Sequence, residues 1–248
     1  MSISAYVDLA RTFFEIMALW GFLEWWQKKE FKWLIESAAM LGLAISAKLL
    51  ALGSLIIFSI LLIYYFIYKK KTIKNLFIGL LVYWFTCLLI PLPWFVFSFV
   101  HTGNPVFPFF TNIYPVRFNF NLINPLNLSD PISPLYLIML PLTFILYRKF
   151  THSAKIIILY SLFAITIWYL TPQTGGGRFI LPYLPFFSIL SAIVIDKMKK
   201  LKIQKLFIGL VIFFSLFSIS YRALVNSKYL PVILGRESKS QFLTNNLN

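Results

Sequence analysis

The sequence has little charge and almost no cysteine. Only 12% of its 248 residues are charged, against roughly 25% in a soluble domain. The single cysteine, Cys87, lies inside an apolar run, so no disulfide framework can form within the chain. These two shortages exclude an ordinary soluble domain and a disulfide-stabilised secreted scaffold.

Long apolar runs stand where a soluble protein would carry charge. A helix needs about 20 apolar residues to cross a bilayer, and the runs here are continuous rather than alternating, which argues against a β-barrel. We predict an all-α fold, a polytopic transmembrane helical bundle with seven to eight spans. Residues 1–222 would form this domain, and 223–248 would form an extracytoplasmic C-terminal tail. Eight hydrophobic segments are visible, at residues 5–26, 32–47, 49–68, 76–98, 132–147, 154–171, 179–196 and 203–221.

One short segment carries small residues at helical spacing. In the segment at 32–47, Ala38, Gly42 and Ser46 recur every fourth residue. Small side chains at this spacing let a helix backbone approach a neighbouring helix closely. We therefore expect this segment to be enclosed by other helices.

The basic residues set the predicted orientation. The formal charge is +15, but no basic groove interleaved with stacking aromatics occurs in a soluble segment, so nucleic acid is not an expected partner. Of 23 Lys and Arg residues, 15 lie in four loops, at 27–32, 69–75, 148–155 and 196–205. The positive-inside rule puts these loops in the cytoplasm and both termini outside it. We expect a multi-pass protein of the cell membrane, in contact with anionic membrane lipids.

The predicted orientation places the unusual polar residues at the outer face. Asp8, Arg11 and Lys48 lie there, together with the outer loops 99–131 and 171–178. Polar residues collected at one membrane face of an apolar chain are a candidate site.

Two alternatives stay open for each of three outer features. Gly175, Gly176, Gly177 and Arg178 could form an anion cradle, with backbone N–H groups and a planar guanidinium around a phosphate, or a flexible turn followed by an interfacial Arg. Lys48 could hold a lipid phosphate as a point charge or anchor the chain at the interface. Asp8 could act as a general base or cap a helix N-terminus. Glu15 is expected to be structural.

The stretch "FVHTGNPVFPFFTN" (99–112) indicates a rigid corner. Gly103 can turn the chain, and Pro105 restrains Asn104 to extended conformations. We expect His101, Gly103, Asn104 and Pro105 to present one amide above an apolar ledge, which suits a ligand that is part sugar and part lipid. His101 has no nearby carboxylate or cysteine partner, so no metal site is expected.

Several motifs in order resemble those of bacterial GT-C glycosyltransferases, which are related to protein O-mannosyltransferases and the lipid A aminoarabinose transferase. The resemblance spans nearly the whole chain. It is carried by "AYVDLARTFFEIMAL", "MLGLAISAKLLAL", "TGNPVFPFF", "GGGRFILPYLPFFSILSA" and "LPVILGRESKSQFL".

The resemblance implies sugar transfer outside the cytoplasm from a polyprenyl-phosphate-linked sugar, with no other cofactor. It implies that Lys48, Arg178 and Gly175–Gly177 lie near the donor phosphate, that His101, Gly103, Asn104 and Pro105 lie near sugar or lipid, and that Asp8 is the family's second acidic position. The family's principal carboxylate lies in a loop between two earlier spans. We therefore expect an upstream fragment of the same enzyme to supply that loop, and no transferase activity from this chain alone.

The rival prediction is a non-catalytic multi-pass membrane protein, either an assembly partner or a lipid-glycan transporter. A transporter should bury ionisable groups at mid-membrane, on broken helices. The centres of the predicted spans are nearly free of charge, which favours a site at the membrane surface.

Overall fold

The computed structural model describes residues 6–111, 135–170, 179–198 and 200–247, and its regular elements are all helices, which confirms the all-α prediction. The chain forms two compact units, Met1–Val194 and Ile195–Asn248. The helices are α1 (Tyr6–Lys28), α2 (Phe31–Ala47), α3 (Leu52–Tyr68), α4 (Ile73–Leu89), α5 (Leu92–Thr102), α6 (Leu135–Leu146), α7 (His152–Leu170), α8 (Leu184–Asp196), α9 (Leu201–Asn226), α10 (Leu230–Ile233) and α11 (Lys239–Leu247).

Each of the eight predicted segments contains a helix, but fewer than eight helices are long and apolar enough to cross a membrane. In the described residues four helical stretches qualify, and a fifth does if one bent pair counts as a span. The predicted number of seven to eight spans is therefore not confirmed. The α1 helix carries several charged side chains, and α2 and α6 have only 17 and 12 residues. The four qualifying stretches are Leu49–Tyr68, His152–Leu170, Phe179–Asp196 and Leu201–Ile233.

The segment predicted as one run at 76–98 is broken. Helix α4 ends at Leu89, α5 begins at Leu92, and the two axes are bent by 66°. Pro91 lies at the break. A proline has no N–H to donate, and its ring clashes with the carbonyl four residues earlier. No residue of α5 is buried among the described parts of the chain.

Phe58 lies at the centre of the first unit. It is fully buried on α3, and its ring contacts Phe22 of α1, Tyr83 of α4 and Tyr160 of α7, with centroid separations of 5.7, 5.8 and 5.5 Å. Such aromatic pairs contribute roughly 0.5–1.5 kcal/mol each beyond their buried area. One side chain thus joins four helices.

Helix α2 packs through its small-residue face, mainly against α1 and α4, and Ala38 and Gly42 are buried. It is not enclosed on all sides, since Ile35 is 42% exposed. A Cβ on Gly42 would lie 2.5 Å from the backbone oxygen of Cys87 on α4. The absence of a side chain at residue 42 therefore permits the α2–α4 contact.

Three of the basic loops meet at one end of the first unit. Gln27 donates a hydrogen bond to Ser153 at 3.2 Å, and the rings of Tyr68 and His152 lie 4.5 Å apart. Helices α1 and α2 form a hairpin that turns at this end, so Asp8 and Lys48 lie at the opposite end.

The second unit is built on α9, which has no buried residue within the described chain. This helix continues past residue 222 to Asn226, so the predicted boundary at 222/223 falls inside it. Beyond it, Tyr229 and Phe242 pack with ring centroids 5.3 Å apart. The final residues therefore fold back on themselves through α10 and α11.

Candidate functional site

Asp8 and Lys48 form an ion pair, although 40 positions separate them in the sequence. Asp8 lies in the first turn of α1, and Lys48 follows the last residue of α2. The hairpin of α1 and α2 brings these two helix ends together. The carboxylate is buried and the ammonium is largely so, with 3% and 19% of the side chains exposed.

The Lys48 ammonium also lies over an aromatic ring. Its Nζ is 4.3 Å from the centroid of the Phe179 ring. Cation–π contacts of this kind stabilise a positive charge that has lost part of its hydration. Phe179 directly follows Arg178 in the sequence and is the first described residue after the glycine-rich segment, so Lys48 contacts the residue next to that segment. Gly175, Gly176, Gly177 and Arg178 themselves lie outside the described residues.

A second polar cluster lies deeper in the same helix. Glu15 is fully buried and accepts three hydrogen bonds, from Arg11 Nε at 2.6 Å, Tyr160 OH at 2.7 Å and Ser54 Oγ at 2.9 Å. Arg11 Nη2 in turn donates to Tyr183 OH at 2.8 Å. The cluster therefore links α1 to α3, α7 and the 3₁₀ turn that precedes α8.

This cluster corrects one expectation and adds to another. Arg11, predicted at the outer face, lies three residues after Asp8 and, like Asp8, is buried inside the protein. The prediction that the span centres are nearly free of charge is wrong for α1, because its Arg11–Glu15 ion pair is sealed inside the bundle. A buried charge is tolerated when hydrogen bonds satisfy it on several sides, and Glu15 has three donors around it.

One signal in the sequence could have located part of this cluster. Asp8, Arg11 and Glu15 recur at spacings of three and four, which places them on one face of a helix. In an otherwise apolar segment, a charged face must be turned towards protein rather than lipid. Ser54 and Tyr160 carry no comparable signal, since each is one of several hydroxyl side chains in its apolar run.

The predicted corner at 103–105 is present. Gly103 has a φ of 71°, in the left-handed region, and ends α5. The amide of Asn104, however, contacts its own loop: Nδ2 donates to Phe109 O at 2.8 Å, and Oδ1 accepts from Val106 N at 3.0 Å. Both the nitrogen and the oxygen of the Asn104 amide therefore bond within the corner. The sequence instead predicts an amide presented above an apolar ledge.

The other residues of this stretch are solvent-accessible. His101 and Pro105 are exposed, and the His101 ring lies 4.1 Å from that of Phe97. Helix α5 leaves α4 near Gly42, since a Cβ on Gly42 would lie 3.0 Å from the Ile90 side chain. Gly42 is in the last turns of α2, so the corner extends from the same end of the first unit as Lys48.

The geometry offers two chemically different groups at this end. Lys48 supplies a positive charge in a partly dehydrated setting, where electrostatic interactions are stronger than in water. Asp8 supplies a carboxylate that is paired with that charge. No cluster of three or more His, Cys, Asp or Glu side chains suitable for a metal ion occurs within the described ranges.

No protein-family model, no curated protein and no solved structure matches this chain.

Proposed function

We propose that this chain is a multi-pass membrane glycosyltransferase of the GT-C type, which takes its sugar from a polyprenyl-phosphate donor at the extracytoplasmic face. One observation carries the proposal. The Lys48 ammonium is held between the Asp8 carboxylate and the Phe179 ring. Three regions distant in the sequence, each singled out by its motif, thus converge at one end of the bundle.

The proposed chemistry assigns a role to each group. The acceptor hydroxyl oxygen bonds to the anomeric carbon, while the bond from that carbon to the phosphate oxygen breaks. The electron pair leaves with the polyprenyl phosphate, where Lys48 and Arg178 stabilise the developing negative charge. The hydroxyl proton passes to a carboxylate, for which Asp8 is the candidate in this chain.

The ion pair suggests an order of events. While Asp8 is paired with Lys48, its carboxylate serves as the counter-ion of a largely buried ammonium. A donor phosphate that binds Lys48 supplies that counter-ion. Binding of the donor would therefore release Asp8 for proton transfer.

The orientation belongs to the same proposal. The loops that meet at the end opposite Lys48 carry Lys28, Lys29 and Lys32, Lys69 to Lys71, and Lys149 with Lys155. The positive-inside rule assigns such an end to the cytoplasm. The Asp8–Lys48 pair then faces outwards, where polyprenyl-linked sugars would be consumed.

The test measures binding of a polyprenyl phosphate to the purified chain in lipid nanodiscs. Lys48→Gln should weaken binding at least about tenfold, the effect of losing one partly buried charge contact to phosphate. Lys74→Gln, an exposed lysine at the basic end, is the matched control. If Lys48→Gln does not fold, binding is measured for Lys48→Arg, which keeps the positive charge beside Asp8. Unchanged binding within a factor of two for folded Lys48→Gln would refute the proposal.

A lipid-glycan transporter is the second candidate function, and two observations favour it. The Arg11–Glu15 pair is buried inside the bundle, and α4 and α5 form a broken helix; transporters combine both features around a central site. Vesicles that contain the chain separate the two functions. A transporter moves an intact lipid-linked glycan across the bilayer, whereas a transferase releases polyprenyl phosphate and leaves the glycan on an acceptor.

A further inference from the structure

The end of the first unit opposite Lys48 gathers lysines that have no carboxylate partner. In the described parts of the chain, Lys28 pairs with Glu24 and Lys32 with Glu30. Among the described residues, no such pair is formed by a further group of lysines from the α1–α2 turn, the α3–α4 turn and the start of α7. This group consists of Lys29, Lys69, Lys71 and Lys155.

Lys29 lies within electrostatic range of Lys69 and Lys71, and His152 lies within range of Lys29, Lys69 and Lys155. Burial lowers the pKa of Lys29, and the positive charges of Lys69 and Lys71 lower it further. The Tyr68 ring connects this group to α7, since it lies 4.5 Å from the His152 ring, and the Lys69 ammonium is 5.3 Å from its centroid. An anion bound here would relieve the mutual repulsion.

The backbone holds two of the loops in uncommon conformations. Lys29 has a φ of 64° and Lys70 a φ of 48°, both in the left-handed region that side chains other than glycine seldom adopt. Lys29 Nζ donates to the carbonyl of Trp26 and lies 4.7 Å from the centre of the Tyr65 ring. The Lys29 ammonium therefore contacts the bundle, although the residue as a whole is exposed.

Exposed apolar side chains adjoin the lysines. Ile67, Ile73 and Phe77 expose 69%, 84% and 65% of their surfaces, and they flank Lys69 and Lys71 in the sequence. A soluble phosphate would leave these surfaces in water. A phospholipid would cover them with its acyl chains while its phosphate meets the ammonium groups, the arrangement by which basic pockets at helix ends bind anionic headgroups.

We propose that Lys29, Lys69, Lys71 and Lys155 form a binding site for an anionic glycerophospholipid, with its phosphate among the ammonium groups and its acyl chains along Ile67, Ile73 and Phe77. The aromatic side chains Trp26, Tyr65 and Tyr68 form the wall of this site. This site lies at the other end of the unit from Lys48 and is independent of the sugar donor. Failure of its test would leave the proposed glycosyltransferase unaffected.

The test counts lipids retained by the chain. The protein is reconstituted into nanodiscs of phosphatidylcholine with a minor fraction of phosphatidylglycerol, extracted in mild detergent, and weighed by native mass spectrometry. We expect phosphatidylglycerol to be retained preferentially. Lys69→Gln combined with Lys71→Gln should weaken its retention about tenfold or more, since each interfacial lysine contributes measurably to anionic lipid attraction.

The matched control is Lys200→Gln combined with Lys202→Gln, which removes the same charge from exposed positions in the second unit. This control should retain the lipid. Equal losses in both double variants, or no preference for phosphatidylglycerol in the unaltered chain, would overturn the site. Displacement of the lipid by millimolar inorganic phosphate would also overturn it, because the site would then recognise free phosphate. Circular dichroism of each variant verifies folding.

Discussion

Arg11 Nη2 donates a hydrogen bond to Tyr183 OH at 2.8 Å, across 172 positions of sequence. The same guanidinium lies beside Glu15, which also accepts from Ser54 and Tyr160. The hydrogen bonds therefore fix the start of the α8 segment, five residues after Arg178, against α1. Asp8 lies on the same face of α1, two turns before Glu15. The cluster therefore also sets the position of the Asp8–Lys48 pair.

Replacing Glu15 alone should destabilise the fold severely. Glu15→Leu leaves the buried Arg11 guanidinium without its counter-ion, and breaking a buried pair in this way costs roughly 3–5 kcal/mol. Thermal unfolding in detergent measures the effect. The double variant Arg11→Met with Glu15→Leu should recover much of the loss, because both charges are then absent.

Glu24→Gln is the control for that experiment, since Glu24 pairs with Lys28 near the surface and exposed ion pairs contribute little. A Glu15→Leu protein as stable as the unaltered chain would show that Arg11 reaches water and that the cluster does not stabilise the bundle.

Gly42 should tolerate no side chain. A methyl group there would lie 2.5 Å from the Cys87 carbonyl oxygen and 3.0 Å from the Ile90 side chain. Gly42→Ala should therefore push α4 from α2 and lower the free energy of unfolding by about 1–3 kcal/mol, the usual cost of overpacking. Gly209→Ala is the matched control, because nothing lies within 4 Å of its added Cβ. It should be neutral or slightly stabilising, as alanine favours helix.

The helical class and the close contact of α2 at Gly42 could be predicted because each rests on a local pattern. Hydrophobic runs of helix length define the segments, and small residues every fourth position identify Gly42 as a contact. Hydropathy does not predict the break at Pro91, because the residues on both sides are apolar and form one continuous run. The proline itself, which lacks an N–H, is the local signal of the break.

The site could be predicted only in part. Asp8 and Lys48 each stood out as single charges at segment ends, and alternation of the segments put both at one end. Their direct contact depends on how tightly α1 and α2 pack, which local pattern does not specify. The sequence marks Glu15 as structural but does not show its partners, because Tyr160 and Tyr183 resemble core aromatics until the fold brings their hydroxyls to the Arg11–Glu15 pair.

Cysteine labelling should determine the orientation. Asn104→Cys introduces a thiol at the corner after α5, and Lys70→Cys introduces one at the basic end; both loops are accessible. The native Cys87 is buried and should stay unlabelled. If the basic end is cytoplasmic, an impermeant thiol reagent applied to intact cells should label residue 104 at once and residue 70 only after permeabilisation. The reverse pattern would place the Asp8–Lys48 pair in the cytoplasm and end the proposal of extracytoplasmic transfer.

Asp8→Asn separates two roles of the ion pair. If Lys48 is shared between Asp8 and a donor phosphate, removing the carboxylate's charge removes a competitor for the ammonium, and polyprenyl phosphate should bind several-fold more tightly. If the chain turns over a polyprenyl-phosphate sugar, contrary to the expectation that an upstream fragment is needed, Asp8→Asn should lower that turnover by roughly 10²–10⁴, the usual contribution of a positioned general base. Asparagine has nearly the shape of aspartate, so packing is retained, and thermal unfolding verifies that the bundle survives the loss of the Lys48 counter-ion.

If Asp8 serves only to orient Lys48, the same variant should bind the phosphate more weakly, because the ammonium loses the group that holds it over Phe179. Equilibrium binding in nanodiscs, measured beside Lys74→Gln as the control for a charge change elsewhere, distinguishes the two results. Tighter binding with lost turnover supports release of Asp8 by the donor. Weaker binding would make Asp8 a positioning residue, and the proton acceptor would then have to be sought in another carboxylate.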